Sequence, residues 1–172
     1  MKIFQVTNSQ NGYADIQFDG IDTVSIIKNG NLSQLQDRCF EWSIQDDDSS
    51  IPDCPFFIGV VPIFRTDRIS KINNLPDVNY ASFKVDGTDY TALYPITTIE
   101  GALDIENSDI RYFRNGKIMT IDSYVFRNRI KYPEFFKISE LSLYSFVTEG
   151  LAKTLRKCGF NNLELIECKI TK

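Results

Sequence analysis

Two carboxylates, Asp104 and Glu106, stand two residues apart in the segment Asp104–Ser108. On a β-strand, side chains at this spacing share one face, so the pair could act as acid and base or hold a divalent ion. In a turn, Asp, Asn and Ser side chains bond to neighbouring backbone groups instead. The turn is the favoured interpretation, and catalysis through Asp104 and Glu106 is the alternative.

A second acidic group consists of Asp46, Asp47, Asp48 and Asp53. A calcium loop of the EF-hand type needs glycine at its sixth place and glutamate at its twelfth. Counted from Asp46, those places hold isoleucine and phenylalanine, so the pattern fails. We therefore predict no metal site. The group is interpreted as a solvated acidic loop, with contact to a basic partner as the functional alternative.

The sequence contains no histidine. This absence excludes Ser-His-Asp and Cys-His catalysis and nearly all standard catalytic zinc sites. Neither the dinucleotide fingerprint GxGxxG nor the phosphate loop GxxxxGK[ST] occurs. The sequence therefore predicts a protein that is not an enzyme and holds no cofactor.

A basic and aromatic cluster comprises Arg127, Arg129, Lys131, Tyr132 and Phe135. Such a composition can bind nucleic acid. The net charge of −4 and the lack of a matching motif argue against that partner, so no nucleic-acid binding is expected.

Charge is unevenly divided along the chain. Residues 1–110 carry 7 basic and 17 acidic residues, a net charge of −10, whereas residues 111–172 carry 12 and 6, a net charge of +6. Opposite patches steer partners and set specificity. The alternative is that the fold interleaves the two portions and the surface charge averages out.

The four cysteines, Cys39, Cys54, Cys158 and Cys168, form no CxxC pair and are interpreted as reduced core thiols. No stretch approaches the roughly 20 apolar residues of a membrane span. The first residues become polar too early for a signal-peptide core. We expect a cytoplasmic protein without a membrane partner.

Asn-Gly and Asp-Gly pairs mark the turns, because both types tolerate a positive φ. The first three pairs bracket short apolar runs, which predict an antiparallel meander of strands at 3–6, 14–18 and 24–27. Residues 31–57 are predicted to form a long exposed connection. A short helix is predicted over 66–72, with Thr66 as its N-cap.

Two further hairpins are predicted, 80–85 with 89–94 around Asp86-Gly87, and 111–114 with 117–121 around Asn115-Gly116. A strand at 145–147 should lead into a helix capped by Thr148 and ended by Gly159, followed by a strand at 163–168. No repeat is present. The sequence predicts one α+β domain over residues 1–172, mostly antiparallel sheet with a few short helices.

Several segments, taken in order, resemble an immunity protein family of bacterial polymorphic toxin systems. The family was first described as a domain of unknown function, with a Myxococcus protein as its founding example. The resemblance spans roughly residues 53–167 and is carried by the segments 102–108, 111–119, 124–127 and 158–163. Family members commonly have a glycine in the turn where this chain has Asn162.

The resemblance implies a protein that binds its cognate toxin in the cytoplasm and blocks it by occlusion. It supplies no catalytic residues. An enzyme that reverses a toxin's modification through Asp104 and Glu106, or a regulatory binding module unrelated to toxins, are the alternatives. Because many toxins that attack nucleic acids are basic, we expect the toxin to contact the acidic N-terminal portion. The candidate contact residues are Trp42, Asp46, Asp47, Asp48 and Asp53.

Overall fold

A computed structural model describes residues 1–9, 13–43, 49–57, 61–69, 72 and 74–171, except for the side chains at positions 24, 27 and 28. In these ranges the strands are β1 (Ile3–Asn8), β2 (Asp15–Gln17), β3 (Cys39–Ser43), β4 (Phe56–Phe57), β5 (Val61–Arg65), β6 (Val78–Val85), β7 (Thr88–Pro95), β8 (Thr98–Ile99), β9 (Asp109–Tyr112), β10 (Ile118–Ser123), β11 (Val125–Phe126), β12 (Phe135–Ile138), β13 (Ser145–Thr148) and β14 (Leu163–Ile170). The α-helices are α1 (Thr23–Asn29) and α2 (Glu149–Cys158), and short 3-10 helices span Leu32–Gln34 and Thr66–Arg68.

The strands form two six-stranded sheets and a separate hairpin. Sheet I has the order β2-β3-β6-β7-β5-β4 and is built from residues 15–95. Sheet II has the order β11-β14-β1-β13-β12-β8 and contains mostly C-terminal strands. The hairpin consists of β9 and β10. Most pairs are antiparallel, but β3 with β6, β12 with β8 and β11 with β14 are parallel.

Three apolar clusters hold the sheets together. One covers the outer face of sheet I and includes Ile26 of α1 and Phe83 of β6. A second lies between the sheets, where Phe64 and Leu93 meet Val147 and the helix residue Leu151. The third covers the outer face of sheet II. Since alternate strand residues point to opposite faces, each sheet contributes to two clusters.

The hairpins predicted around Asp86-Gly87 and Asn115-Gly116 and the last helix are confirmed. At the β6–β7 turn, Asp86 and Gly87 have φ values of 44° and 80°, the positive pair that a tight hairpin turn needs. Helix α2 begins after Thr148, whose side chain makes no capping hydrogen bond, and ends at Gly159 in a left-handed conformation. The final strand continues to Ile170.

The N-terminal meander was a wrong prediction. Residues 24–27 lie in α1 rather than in a strand, because Asp22 accepts a hydrogen bond from the Ser25 amide and Gly30 ends the helix in a left-handed conformation. The Asn29-Gly30 pair is therefore a helix C-terminus and not a hairpin turn. Moreover, β1 pairs with β13 and β14 in sheet II, whereas β2 pairs with β3 in sheet I.

The predicted exposed connection over 31–57 is also wrong in the parts that the structure describes. It contains a 3-10 helix, β3 and β4, and residues 52–55 are buried. In the described part of the predicted helix at 66–72, Thr66–Arg68 forms a 3-10 turn, and the Thr66 hydroxyl bonds to that of Thr91 instead of capping. The Asn11-Gly12 turn lies outside the described residues.

The fold is a single small domain of the mostly-sheet α+β kind, in agreement with the predicted class, although its helical content is low. In the described part of the chain, no helix is long and apolar enough to cross a membrane. Of the four cysteines predicted to lie in the core, Cys54 and Cys168 are buried, Cys158 is partly buried and Cys39 is exposed.

Candidate protein-binding surfaces

An acidic surface forms at the edge of sheet I. In the pairing of β2 with β3, Asp15 lies opposite Ser43 and Gln17 opposite Glu41, so these side chains share one face of the two strands. Asp86 lies in the adjacent β6–β7 turn, and its carboxylate accepts a hydrogen bond from the Trp42 backbone amide at 3.3 Å. Asp15, Glu41 and Asp86 are exposed, and none forms an ion pair with a basic side chain in the described ranges. These three residues are called the acidic edge below.

Trp42, the predicted aromatic anchor, is half-buried behind this edge. It lies opposite Ile16 on the other face of the strands, where both pack against the cluster on the outer face of sheet I, and its ring meets that of Tyr90 edge to face, with centroids 5.7 Å apart. Burial raises the pKa of Tyr90 to about 12, and its hydroxyl donates to the Pro52 carbonyl. Trp42 therefore supports the acidic edge from beneath and offers only part of its ring to a partner.

The predicted acidic loop is placed only in part. Asp46, Asp47 and Asp48 lie outside the described residues, three to five positions after β3 ends at Ser43. Asp53 does not lie on the acidic edge, because it is buried and its carboxylate pairs with Arg65 at 3.4 Å and Arg68 at 2.7 Å. The four aspartates of this acidic group are therefore not one surface. The buried Asp53 forms ion pairs, and the other three belong to the segment that follows β3 in the sequence.

Asp104 and Glu106 lie in a turn, as the favoured interpretation predicted. The Asp104 carboxylate accepts hydrogen bonds from the backbone and side-chain amides of Asn107, at 3.3 and 2.8 Å. The Ser108 hydroxyl donates to the Asp104 carbonyl and accepts from the Val125 amide. These bonds fix the turn to β11, so Asp104 has a structural role that accounts for its position.

A surface concavity brings this turn to the basic cluster. It has a volume of about 800 Å³, and Asp104, Glu106, Arg127 and Arg129 are among its lining residues. Lys131 is exposed, whereas Tyr132 and Phe135 are buried in the core and do not form an aromatic surface. Across the described ranges, no group of three or more Cys, Asp or Glu side chains is placed to hold a metal ion. The concavity therefore places carboxylates and guanidinium groups side by side.

The β9–β10 hairpin leaves the body beside this concavity. The hairpin is anchored because Ile121 is buried in the outer cluster of sheet II, and Ile110 and Ile118 pack against that cluster. Its far end is exposed: Tyr112 is 49% exposed, Phe113 53% and Met119 43%. The sequence predicted this hairpin but not its exposure. The available signal was the pair Tyr112-Phe113 between two arginines at the turn.

The turn at the end of the hairpin is well defined. The Phe113 amide donates to the Lys117 carbonyl at 2.8 Å, and the Gly116 amide donates to the Phe113 carbonyl at 2.9 Å. The Asn115 side chain accepts from the Lys117 amide. Three backbone donors are thus used within five residues, so the exposed side chains project from a fixed turn.

No protein-family model matches the chain, and no curated protein matches it.

Proposed function

We propose that this chain is an immunity protein that binds a cognate toxin and neutralises it by occlusion. The family resemblance of the sequence supports this role, since its matching segments follow one another in order over most of the chain. The structural observation that carries the proposal is the acidic edge, whose three exposed carboxylates lack basic partners among the described residues.

The acidic edge suits a basic partner protein. From β3 the chain continues directly to Asp46, Asp47 and Asp48, which add three negative charges close in sequence to Glu41. Many toxins that attack nucleic acids carry basic active sites, and an acidic inhibitor associates with them quickly. We propose that the toxin contacts this part of the molecule, with Trp42 as a partly exposed aromatic component and without a cofactor.

A second candidate function is an enzyme that reverses a toxin's modification. The concavity favours it, because Glu106 lies there beside Arg127 and Arg129. Two observations weigh against it. The Asp104 carboxylate is already bonded to Asn107, and the sequence has no histidine to share acid–base work.

Co-expression tests the proposal directly. The gene immediately upstream of this one is expressed in a sensitive bacterium with and without the chain, and survival is measured. The proposal expects survival only with the chain, and a stable complex of the two proteins in size-exclusion chromatography. Survival without a complex favours the enzyme, and death in both cultures contradicts an immunity role against that gene product.

A further inference from the structure

We infer that the exposed end of the β9–β10 hairpin is an association arm that docks on the acidic edge of a second copy of this chain. The arm is defined as Tyr112, Phe113, Arg114, Lys117 and Met119. This inference does not depend on the proposed immunity function. It follows from the composition of the arm, from its positive charge and from the acidic edge that every copy of the chain presents.

The arm has the composition of a protein-binding surface. Aromatic side chains, Met and Arg are enriched at the centres of protein interfaces, and a few such residues supply most of the binding energy. Here two aromatic rings and one methionine are about half exposed on a turn whose backbone is fixed by hydrogen bonds. A fixed arm loses little conformational entropy when it binds.

The charge of the arm is not balanced within its own molecule. Arg111 is paired with Asp122 at 2.7 Å, but neither Arg114 nor Lys117 forms an ion pair with a carboxylate of the described residues. Residues 111–131 contain six basic and one acidic residue, a net charge of +5. The occupant of this surface must therefore present negative charge, which carboxylates of a protein partner supply.

A second copy presents such carboxylates. Residues 1–110 carry a net charge of −10, and sheet I, built from residues 15–95, places Asp15, Glu41 and Asp86 on an exposed edge. Apolar contact is offered too, by the partly exposed Trp42 ring and by Ile51, which is 44% exposed. The copy therefore matches the arm in both charge and apolar character.

The pairing is compatible with a closed dimer. In a two-fold dimer, if the arm of one copy contacts the edge of the other, the reverse contact forms as well. Each dimer then contains two arm-to-edge contacts. The acidic edge is also the surface proposed for the toxin, so a copy and the toxin would exclude each other. Self-association is measured without toxin, and its outcome is separate from that of the immunity proposal.

Sedimentation equilibrium of the purified chain tests the inference. At about 50 mM salt, where electrostatic attraction is weakly screened, we expect the mass to rise with concentration from 19.8 kDa to twice that value. At about 500 mM salt the association constant should fall at least tenfold. A protein that stays monomeric at about 200 µM in low salt overturns the inference, because charge-steered dimers associate best there.

Matched variants locate the contact. Phe113→Ser with Lys117→Glu removes one exposed ring and reverses one charge on the arm, and should weaken dimerisation at least tenfold. Leu143→Ser with Lys157→Glu likewise removes one exposed apolar side chain and reverses one charge, at exposed positions elsewhere, and should leave the dimer intact. Equal effects of the two double variants overturn the assignment to the arm. Circular dichroism verifies that both remain folded.

Mixing distinguishes arm-to-edge docking from contact between two arms. The double variant Asp15→Lys with Glu41→Lys disrupts the acidic edge. When it is measured by itself, it should also be monomeric. When this variant is mixed with the arm variant, one intact arm meets one intact edge, so a weaker heterodimer should form. Failure of the mixture to associate overturns arm-to-edge docking. The inference is also overturned if the chain remains monomeric and its arm binds a labelled single-stranded oligothymidine. In that case the arm is a nucleic-acid-binding surface.

Discussion

The side-chain amide of Asn162 exchanges two hydrogen bonds with the backbone of Cys54, accepting from its amide at 2.9 Å and donating to its carbonyl at 2.8 Å. Both residues are buried. The neighbouring Asn161 bonds in the same way to the flanking segment, accepting from the Asp53 amide and donating to the Ile51 carbonyl. The turn after α2 therefore fixes the segment that leads into β4.

The first prediction concerns this amide. Asn162→Ala leaves the buried amide and carbonyl of Cys54 without their partners, and each such group costs about 1–3 kcal/mol. We expect a loss of about 2 kcal/mol or more in the free energy of unfolding. Urea denaturation measures it, with the exposed Asn128→Ala as the matched control. A loss no greater than that of the control contradicts the structural role of Asn162.

The same contact explains one limit of sequence interpretation. Residues 49–57 combine polar residues with two prolines, which is typical of an exposed loop. Their burial depends on Asn161 and Asn162, more than 100 residues away along the chain. Local turn chemistry predicted the later hairpins because their turns are self-contained.

The strand predicted at 24–27 failed for a different reason. A run of four residues with three β-branched apolar side chains and one serine, placed between two turn pairs, fits a strand and a helix equally well. The helix forms because Asp22 caps its N-terminus and Gly30 ends it in a left-handed conformation. At Gly30 a β-carbon would also lie 2.6 Å from the Tyr94 ring. The sequence shows that the acidic residues are concentrated in the first 110 positions. Which of them come together on one exposed edge depends on how the strands of sheet I are assembled.

A second prediction concerns the buried Lys137. Its ammonium group donates to the Tyr94 hydroxyl and lies 4.0 Å from the centre of that ring. Burial lowers the pKa of Lys137 from 10.5, so the unfolded chain binds this proton more tightly. Stability from this group therefore rises with pH between its folded-state pKa and 10.5.

Lys137→Met should remove that rise. We expect the variant to be more stable than the wild type at neutral pH, with the difference narrowing as the pH approaches about 10. Urea denaturation at several pH values measures it, and the exposed Lys157→Met should show no such trend. A difference that does not change with pH would contradict the lowered pKa.

A third prediction concerns alkaline solution. Burial raises the pKa of Tyr90 from 10.0 to about 12, with smaller effects of Arg65, which lowers it, and Asp53, which raises it. The folded protein therefore holds this proton more tightly than the unfolded chain. Its contribution is fully present below about pH 10 and is lost as the pH rises towards about 12.

Tyr90→Phe should accordingly lose less stability than the wild type between about pH 9.5 and about 11.5. At neutral pH it should be less stable, because the Pro52 carbonyl loses the hydroxyl that donates to it. Tyr13→Phe is the control, since Tyr13 is only partly buried. Parallel losses in wild type and Tyr90→Phe at high pH would show that Tyr90 does not titrate in this way.

A fourth prediction separates occlusion from enzymatic reversal. Asp104→Asn with Glu106→Gln removes both carboxylates from the concavity while keeping side chains of similar size. If the protein acts by binding, the folded double variant should protect cells as the wild type does. Survival at equal expression levels measures protection. Loss of protection by a folded variant that still binds toxin would identify an enzyme.

A fifth prediction concerns the acidic segment after β3. Replacing Asp46, Asp47 and Asp48 with serine should slow association with the toxin and flatten its salt dependence, because exposed charges act mainly on the association rate. Stopped-flow fluorescence measures the rate over a range of salt concentrations. Exchanging Glu164 and Glu167 for serine removes exposed carboxylates elsewhere as a control. Unchanged kinetics in the triple variant would place the toxin elsewhere on the molecule.

The most direct test of the central proposal is a titration of the toxin's activity with the purified chain at toxin concentrations well above the dissociation constant. Neutralisation by occlusion predicts that residual activity falls linearly and reaches zero at one chain per toxin, because each inhibitor molecule occupies one toxin molecule. Complete loss of activity at a small fraction of an equivalent, increasing with time, would indicate turnover and contradict occlusion. Full toxin activity at a large excess of the chain would contradict the immunity function itself.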